Sequence, residues 1–163
     1  MKKALILIMA ALTLVLTGCS GDSVESPPEL NILINKDEIE LRPEHYSWMA
    51  IDKNGSDRSA AVQGEMTHPL EMTHLLPYEI DDDTLKFYSD PVPNSFTVRC
   101  WPESAMGDSS APAQEAKTAS GKFDLMPGGW IYHISGVWEG GKEGKPGYYS
   151  GTAEYVIYII SNQ

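Results

Sequence analysis

The chain has 163 residues, with 12 basic against 23 acidic side chains and a formal net charge of −11. That length suits a single domain with a real core, and the acidic balance argues against nucleic acid or anionic lipid as charge-held partners. Only two cysteines are present, Cys19 and Cys100.

The chain opens with Lys2 and Lys3 ahead of an almost unbroken apolar run, Ala4 to Val15, and then Leu16-Thr17-Gly18-Cys19. The run is too short for a stop-transfer helix, and small residues before a cysteine resemble the lipobox of bacterial lipoproteins more than an ordinary secretory cleavage site. The resemblance implies a signal peptide over 1–18 and lipidation at Cys19, whose sulfur takes a diacylglycerol and whose new amino group is often acylated. Two or more chains anchor stably where one does not. The expected location is extracytoplasmic, lipid-anchored to the cell membrane, or to the outer membrane if the host has one. Residues 19–29, the lipidated Cys and the polar stretch SGDSVESPPE, read as a tether. The domain is then 30–163.

From Leu30 the periodicity is that of strands: Leu30 to Ile34, Glu38 to Leu41 and, after the break at Pro43, Tyr46 to Ile51. Further strands are expected at Leu85 to Tyr88, Phe96 to Trp101, Ala119 to Leu125, Trp130 to Trp138 and Tyr149 to Ile160, with Pro, Gly, Asn and Asp crowding the gaps. Seven or eight short strands with such spacing predict an all-β fold, an immunoglobulin-like antiparallel β-sandwich. The last two form the clearest pair, a long hairpin around the Gly-rich, charged loop Glu139 to Gly147. The final strand is apolar on both faces and reads as central. Thr67 to Glu71 offers a cap, a first-turn proline and an acid, so a short helical turn is expected from Pro69 until Pro77 ends it.

That turn overlaps an internal repeat, Glu65-Met66-Thr67-His68-Pro69-Leu70 followed by Glu71-Met72-Thr73-His74-Leu75-Leu76. Imidazole with thioether suits copper and imidazole with carboxylate suits zinc, so His68, His74, Met66, Met72 and Glu71 form a candidate metal-ion site. Residues six apart lie about 240° apart on a helix, so the two histidines converge only if the segment is extended. The plainer reading is apolar Met and Leu beneath solvent-facing His.

With Cys19 consumed by lipid, Cys100 has no partner for an intrachain disulfide. Alternation puts Phe96, Val98 and Cys100 on one strand face, which reads as a small core hydrophobe rather than a reactive thiol. Asp81, Asp82, Asp83 and Asp90 lack the spacing of a calcium loop. Most aromatics are needed to fill the core, whereas Tyr148 and Tyr149, beside the Gly-rich loop, are expected to be exposed and, with Lys142 and Glu143, to form a partner-binding surface.

No nucleophile elbow, phosphate-binding loop or C-x-x-C motif is present, and His45, His68, His74 and His133 have no patterned nucleophile beside them. The lipobox, His45-Tyr46-Ser47-Trp48, the segment Leu85 to Trp101 with Pro91 and Pro93, Trp130 to Trp138, and Gly151-Thr152-Ala153-Glu154-Tyr155 resemble small uncharacterised lipoproteins of Gram-positive bacteria. The resemblance implies an immunoglobulin-like domain at the cell surface and carries over no catalytic residue. The expected function is therefore non-enzymatic: an interaction module for an envelope protein or glycan. The alternative is a metal or small-solute binder using the repeat at 65–76, and a hydrolase with a dispersed site comes third.

Overall fold

The computed structural model describes residues 24–61 and 65–162. The segment read from sequence as a lipobox, with Cys19, lies outside the described residues. Among the described residues, no helix is long and apolar enough to cross a membrane.

The chain is an all-β sandwich of twelve strands: β1 (Leu30–Ile34), β2 (Asp37–Leu41), β3 (His45–Ile51), β4 (Asp57–Ala61), β5 (Pro77–Ile80), β6 (Thr84–Tyr88), β7 (Ser95–Pro102), β8 (Gln114–Glu115), β9 (Thr118–Ala119), β10 (Lys122–Asp124), β11 (Gly128–Gly140) and β12 (Tyr149–Ser161). The smaller sheet runs β2-β1-β6-β10-β9, and the larger runs β4-β3-β12-β11-β7-β8 with β5 also on β12.

Twelve strands replace the expected seven or eight because several are too short or too polar to show a period. β4 (DRSAA) has no apolar alternation, and β8 and β9 have two residues each. The expected strand Ala119 to Leu125 is two strands joined at Ser120 and Gly121, both with positive φ. Asn35 and Lys36, at φ 49° and 77°, make the same kind of two-residue hairpin between β1 and β2, a turn whose twist matches that of the strands it joins.

Pairing is antiparallel throughout except between β5 and β12. The first half of β12 bonds to β3 and its last four residues to β5, so one edge of the strand serves two partners. On its other edge β12 pairs along its whole length with β11.

The main core lies between the sheets. Ile32, Leu85 and Phe123 face it from the smaller sheet; Val98, Cys100, Tyr132, Ile134, Tyr155 and Ile157 face it from the larger one. Burial pushes the Cys100 thiol up to about 11, which keeps it protonated and inert. Two large indoles are accommodated by glycines on the same face. A Cβ on Gly136 would lie 2.2 Å from the Trp138 ring, and one on Gly151 would lie 2.4 Å from the Ser47 carbonyl and 2.5 Å from the Trp48 ring.

Val24 to Glu29, read from sequence as part of a polar tether, packs against this sandwich. Pro27 and Pro28 are buried, Tyr155 donates its hydroxyl hydrogen bond to the Pro28 carbonyl, and Trp48 Nε1 donates to the Val24 carbonyl at 2.9 Å. The domain therefore begins at least six residues before Leu30.

A second apolar cluster covers the outer face of the larger sheet. Trp101, Ile131, Val156 and Tyr158 project from it and are capped by Leu70 and Met72. This accounts for the apolar character of both faces of β12.

Candidate functional site

The segment between β4 and β5 is the repeat, and its apolar members set its position. Leu70 is 2% exposed and Met72 5%. The helical turn expected from Pro69 to Leu76 is shorter, a 3-10 turn over Pro69–Glu71, and its cap is His68. His68 Nδ1 accepts from Leu70 N at 3.2 Å, and its ring stands edge-on to Trp101 at 5.2 Å. Gly107 N donates to the Leu70 carbonyl, tying the segment to the loop after β7.

Where this segment meets the start of β3 it forms an open cleft of about 340 Å³, lined by Glu44, His45, Glu65, Met66, Thr67, Glu71, Met72, Thr73 and His74. Met66, Glu71, Met72 and His74 of the sequence-derived metal set share this wall. His68 does not, since its ring is committed to Trp101 and its Nδ1 to the turn. Among the described residues no three of His, Cys, Asp and Glu are placed to hold a metal ion.

The cavity floor continues into a row of ionisable groups across three strands. His45 on β3 is in register with Glu154 on β12. Glu154 Oε2 lies 3.9 Å from His45 Nδ1 and 3.7 Å from His133 Nε2 on β11. These are ion-pair distances, longer than hydrogen bonds, and His133 Nε2 is buried without a hydrogen-bond partner. Burial holds the His133 pKa below its ordinary value; Glu154 pulls the other way and Arg99 adds to the lowering. His74 Nε2 lies 3.6 Å from Glu44 Oε1 at the rim.

Chemically, the wall offers carboxylates, imidazoles, hydroxyls and thioethers, and no Lys or Arg side chain. With three carboxylates and no permanent cation, such a surface attracts positive charge.

Glu44, His45, His133 and Glu154 were not joined by sequence reading. Residue 45 meets residue 154 only through β-sheet register, which no local spacing encodes.

The hairpin loop is placed elsewhere. Lys142 and Glu143 are exposed there, but Tyr148, expected to be exposed beside them, is 7% exposed. Its carbonyl accepts from Ile51 N, which draws the residue into the sheet. Tyr149 is half-buried, stacked on Trp48 with ring centroids 5.8 Å apart and planes 8° from parallel. The expected aromatic surface at this loop is thus spent on packing.

In comparisons with known proteins, no family model, curated protein or solved structure matches this chain.

Proposed function

We propose that this chain is a lipoprotein held outside the membrane by lipid on Cys19, and that its domain is a non-catalytic binding module for a small organic cation bearing an amine or guanidinium group. The observation that carries the ligand assignment is the cavity of about 340 Å³, whose lining has three carboxylates, Glu44, Glu65 and Glu71, against two imidazoles and no Lys or Arg. Its size falls within the roughly 300–1,000 Å³ usual for small-molecule sites. Acceptors at several angles satisfy the donors of an ammonium or guanidinium, and thioethers and threonine methyls cover its carbon skeleton.

A metal ion fits less well, because His68 is committed to its turn. Capture of an envelope protein or glycan by the hairpin loop also fits less well, because its tyrosines are packed inward.

The test is a thermal-shift screen of residues 20–163 against polyamines, arginine, quaternary amines, zinc, copper(I) and neutral sugars. A ligand bound only by the native state raises the midpoint by an amount set by its excess over the dissociation constant. The expected outcome is a rise with one class of amine, abolished by Glu44→Gln with Glu71→Gln. A rise with a metal alone, abolished by His74→Ala, would replace this reading with a metal site; no rise with any compound would reject the cavity as a small-ligand site.

A further inference from the structure

The sandwich is long and its two ends differ. β12 has thirteen residues, about 40 Å of extended chain. At one end lie the turn of the β11–β12 hairpin, the β3–β4 turn and the loop before β7. These are fastened together: Gly147 N donates to the Ile51 carbonyl, Glu139 N donates to Asn94 Oδ1 at 2.6 Å, and Trp138 Nε1 donates to the Pro91 carbonyl at 2.9 Å.

The described chain also begins at this end. Val24 is held by Trp48, which is in register with Gly151 two residues into β12. Glu25 lies 3.9 Å from Arg58 on β4, whose neighbour Ala50 pairs with Tyr149. Cys19 precedes Val24 by five residues, and five residues reach at most ~18 Å whatever their path. A lipid on Cys19 therefore keeps Val24, held near the hairpin end, within ~18 Å of the headgroups, while the opposite end lies further along the axis.

Charge follows the same axis. At the hairpin end the exposed bases Lys53, Arg58, Lys142 and Lys145 are interspersed with the acids Asp57, Asp90, Glu139 and Glu143, whereas at the other end Asp37, Asp81, Asp82, Asp83 and Asp124 outnumber the base Lys36. Exposed apolar side chains are shared between the ends, with Val92 and Val137 toward the hairpin end and Leu33 and Leu76 toward the other. An anionic leaflet repels the acidic end and tolerates the mixed one.

We propose that the hairpin end of the sandwich is a lipid-facing surface, with the loops around Lys53, Val92 and Lys142 lying against the headgroup layer and the acidic end directed away. This rests on the lipid-anchor reading above. It leaves the cavity beside Glu154, midway along β12, open to solvent, and it removes the hairpin loop as a site for soluble partners.

The test uses the full-length, processed protein in vesicles of phosphatidylcholine and phosphatidylglycerol that carry an energy-transfer acceptor on a headgroup. A donor dye is placed on Glu143→Cys at the hairpin end or Asp82→Cys at the acidic end, and Cys100 is too buried to compete for it. The expected result is several-fold higher transfer from position 143 than from position 82. Equal transfer, or more from 82, overturns the proposed orientation while leaving the anchor intact. The mass of the amino-terminal peptide is measured on the same preparation: an unacylated Cys19 overturns the anchor reading and this inference with it.

Discussion

The indole N–H of Trp48 is bonded to the carbonyl of Val24, so a core aromatic on β3 fixes the place where the chain enters the domain. Trp48→Phe keeps a ring over Gly151 but removes the donor together with part of a buried indole. The expected outcome is a loss of about 2–3 kcal/mol, one hydrogen bond plus the cavity left by the smaller ring, with faster proteolytic clipping between residues 24 and 29. Chemical denaturation and limited proteolysis check the two parts; a variant clipped no faster than the parent would show that Pro27 and Pro28 hold the segment unaided.

Gly151 has no room for a side chain, because its face is filled by the Trp48 ring and the Ser47 carbonyl. Gly151→Ala is expected to cost about 1–3 kcal/mol through overpacking, read as a lower urea midpoint at unchanged slope. Parental stability would mean that β3 and β12 separate more easily than their continuous pairing implies.

His133 gives the fold an acid-sensitive element. Its pKa is lowered in the folded chain, chiefly by burial, so below about pH 6.5 the unfolded chain takes up a proton that the folded chain resists. Stability contributed by neutral His133 is complete at higher pH and is lost as pH falls through the unfolded value. His133→Gln is expected to flatten the melting temperature between pH 7 and pH 5; an unchanged slope would assign the acid sensitivity to other groups.

The Cys100 thiol is fully buried, with its pKa pushed up to about 11. A maleimide is expected to leave the native protein unlabelled for hours and to react at once in denaturant, which makes labelling a direct count of opening events. Rapid native labelling would contradict the burial.

Within the repeat, packing and ligand roles separate by residue. Leu70→Ala removes a buried cap over Trp101 and is expected to cost about 2–5 kcal/mol. His74→Ala, at an exposed rim, is expected to leave the melting temperature of the ligand-free domain within a degree or so, since exposed pairs contribute little. A large loss from His74→Ala would give that histidine a structural role.

The strands readable from sequence are those whose alternation meets a two-sided environment. Tyr132, Ile134 and Trp138, and Ala153, Tyr155, Ile157 and Ile159, sit on the inner face, as their spacing of two requires. Cys100 also lies where alternation puts it. Short polar strands such as β4 and β8 are strands only because a neighbour offers hydrogen bonds, and their own residues carry no period. The site divides in the same way. The repeat at 65–76 was conspicuous, but which of its histidines faces the cavity depended on a cap at His68 and on Trp101, thirty-three residues further along. Tyr148 was misplaced because nearness to a glycine-rich loop says nothing of a backbone bond to Ile51.

The β12 strand, which borders β11, β3 and β5, follows all three along the chain. In a chain that emerges amino-terminus first, the larger sheet has an empty central lane until β12 arrives. The smaller sheet and the β7–β11 pair can form earlier, but β3 and β11 stay unjoined, because long-range pairing cannot begin before both partners exist. The larger sheet thus closes only when β12 fills the lane between β3 and β11. A truncation within β12 would therefore remove the organising centre of the larger sheet rather than trim its margin.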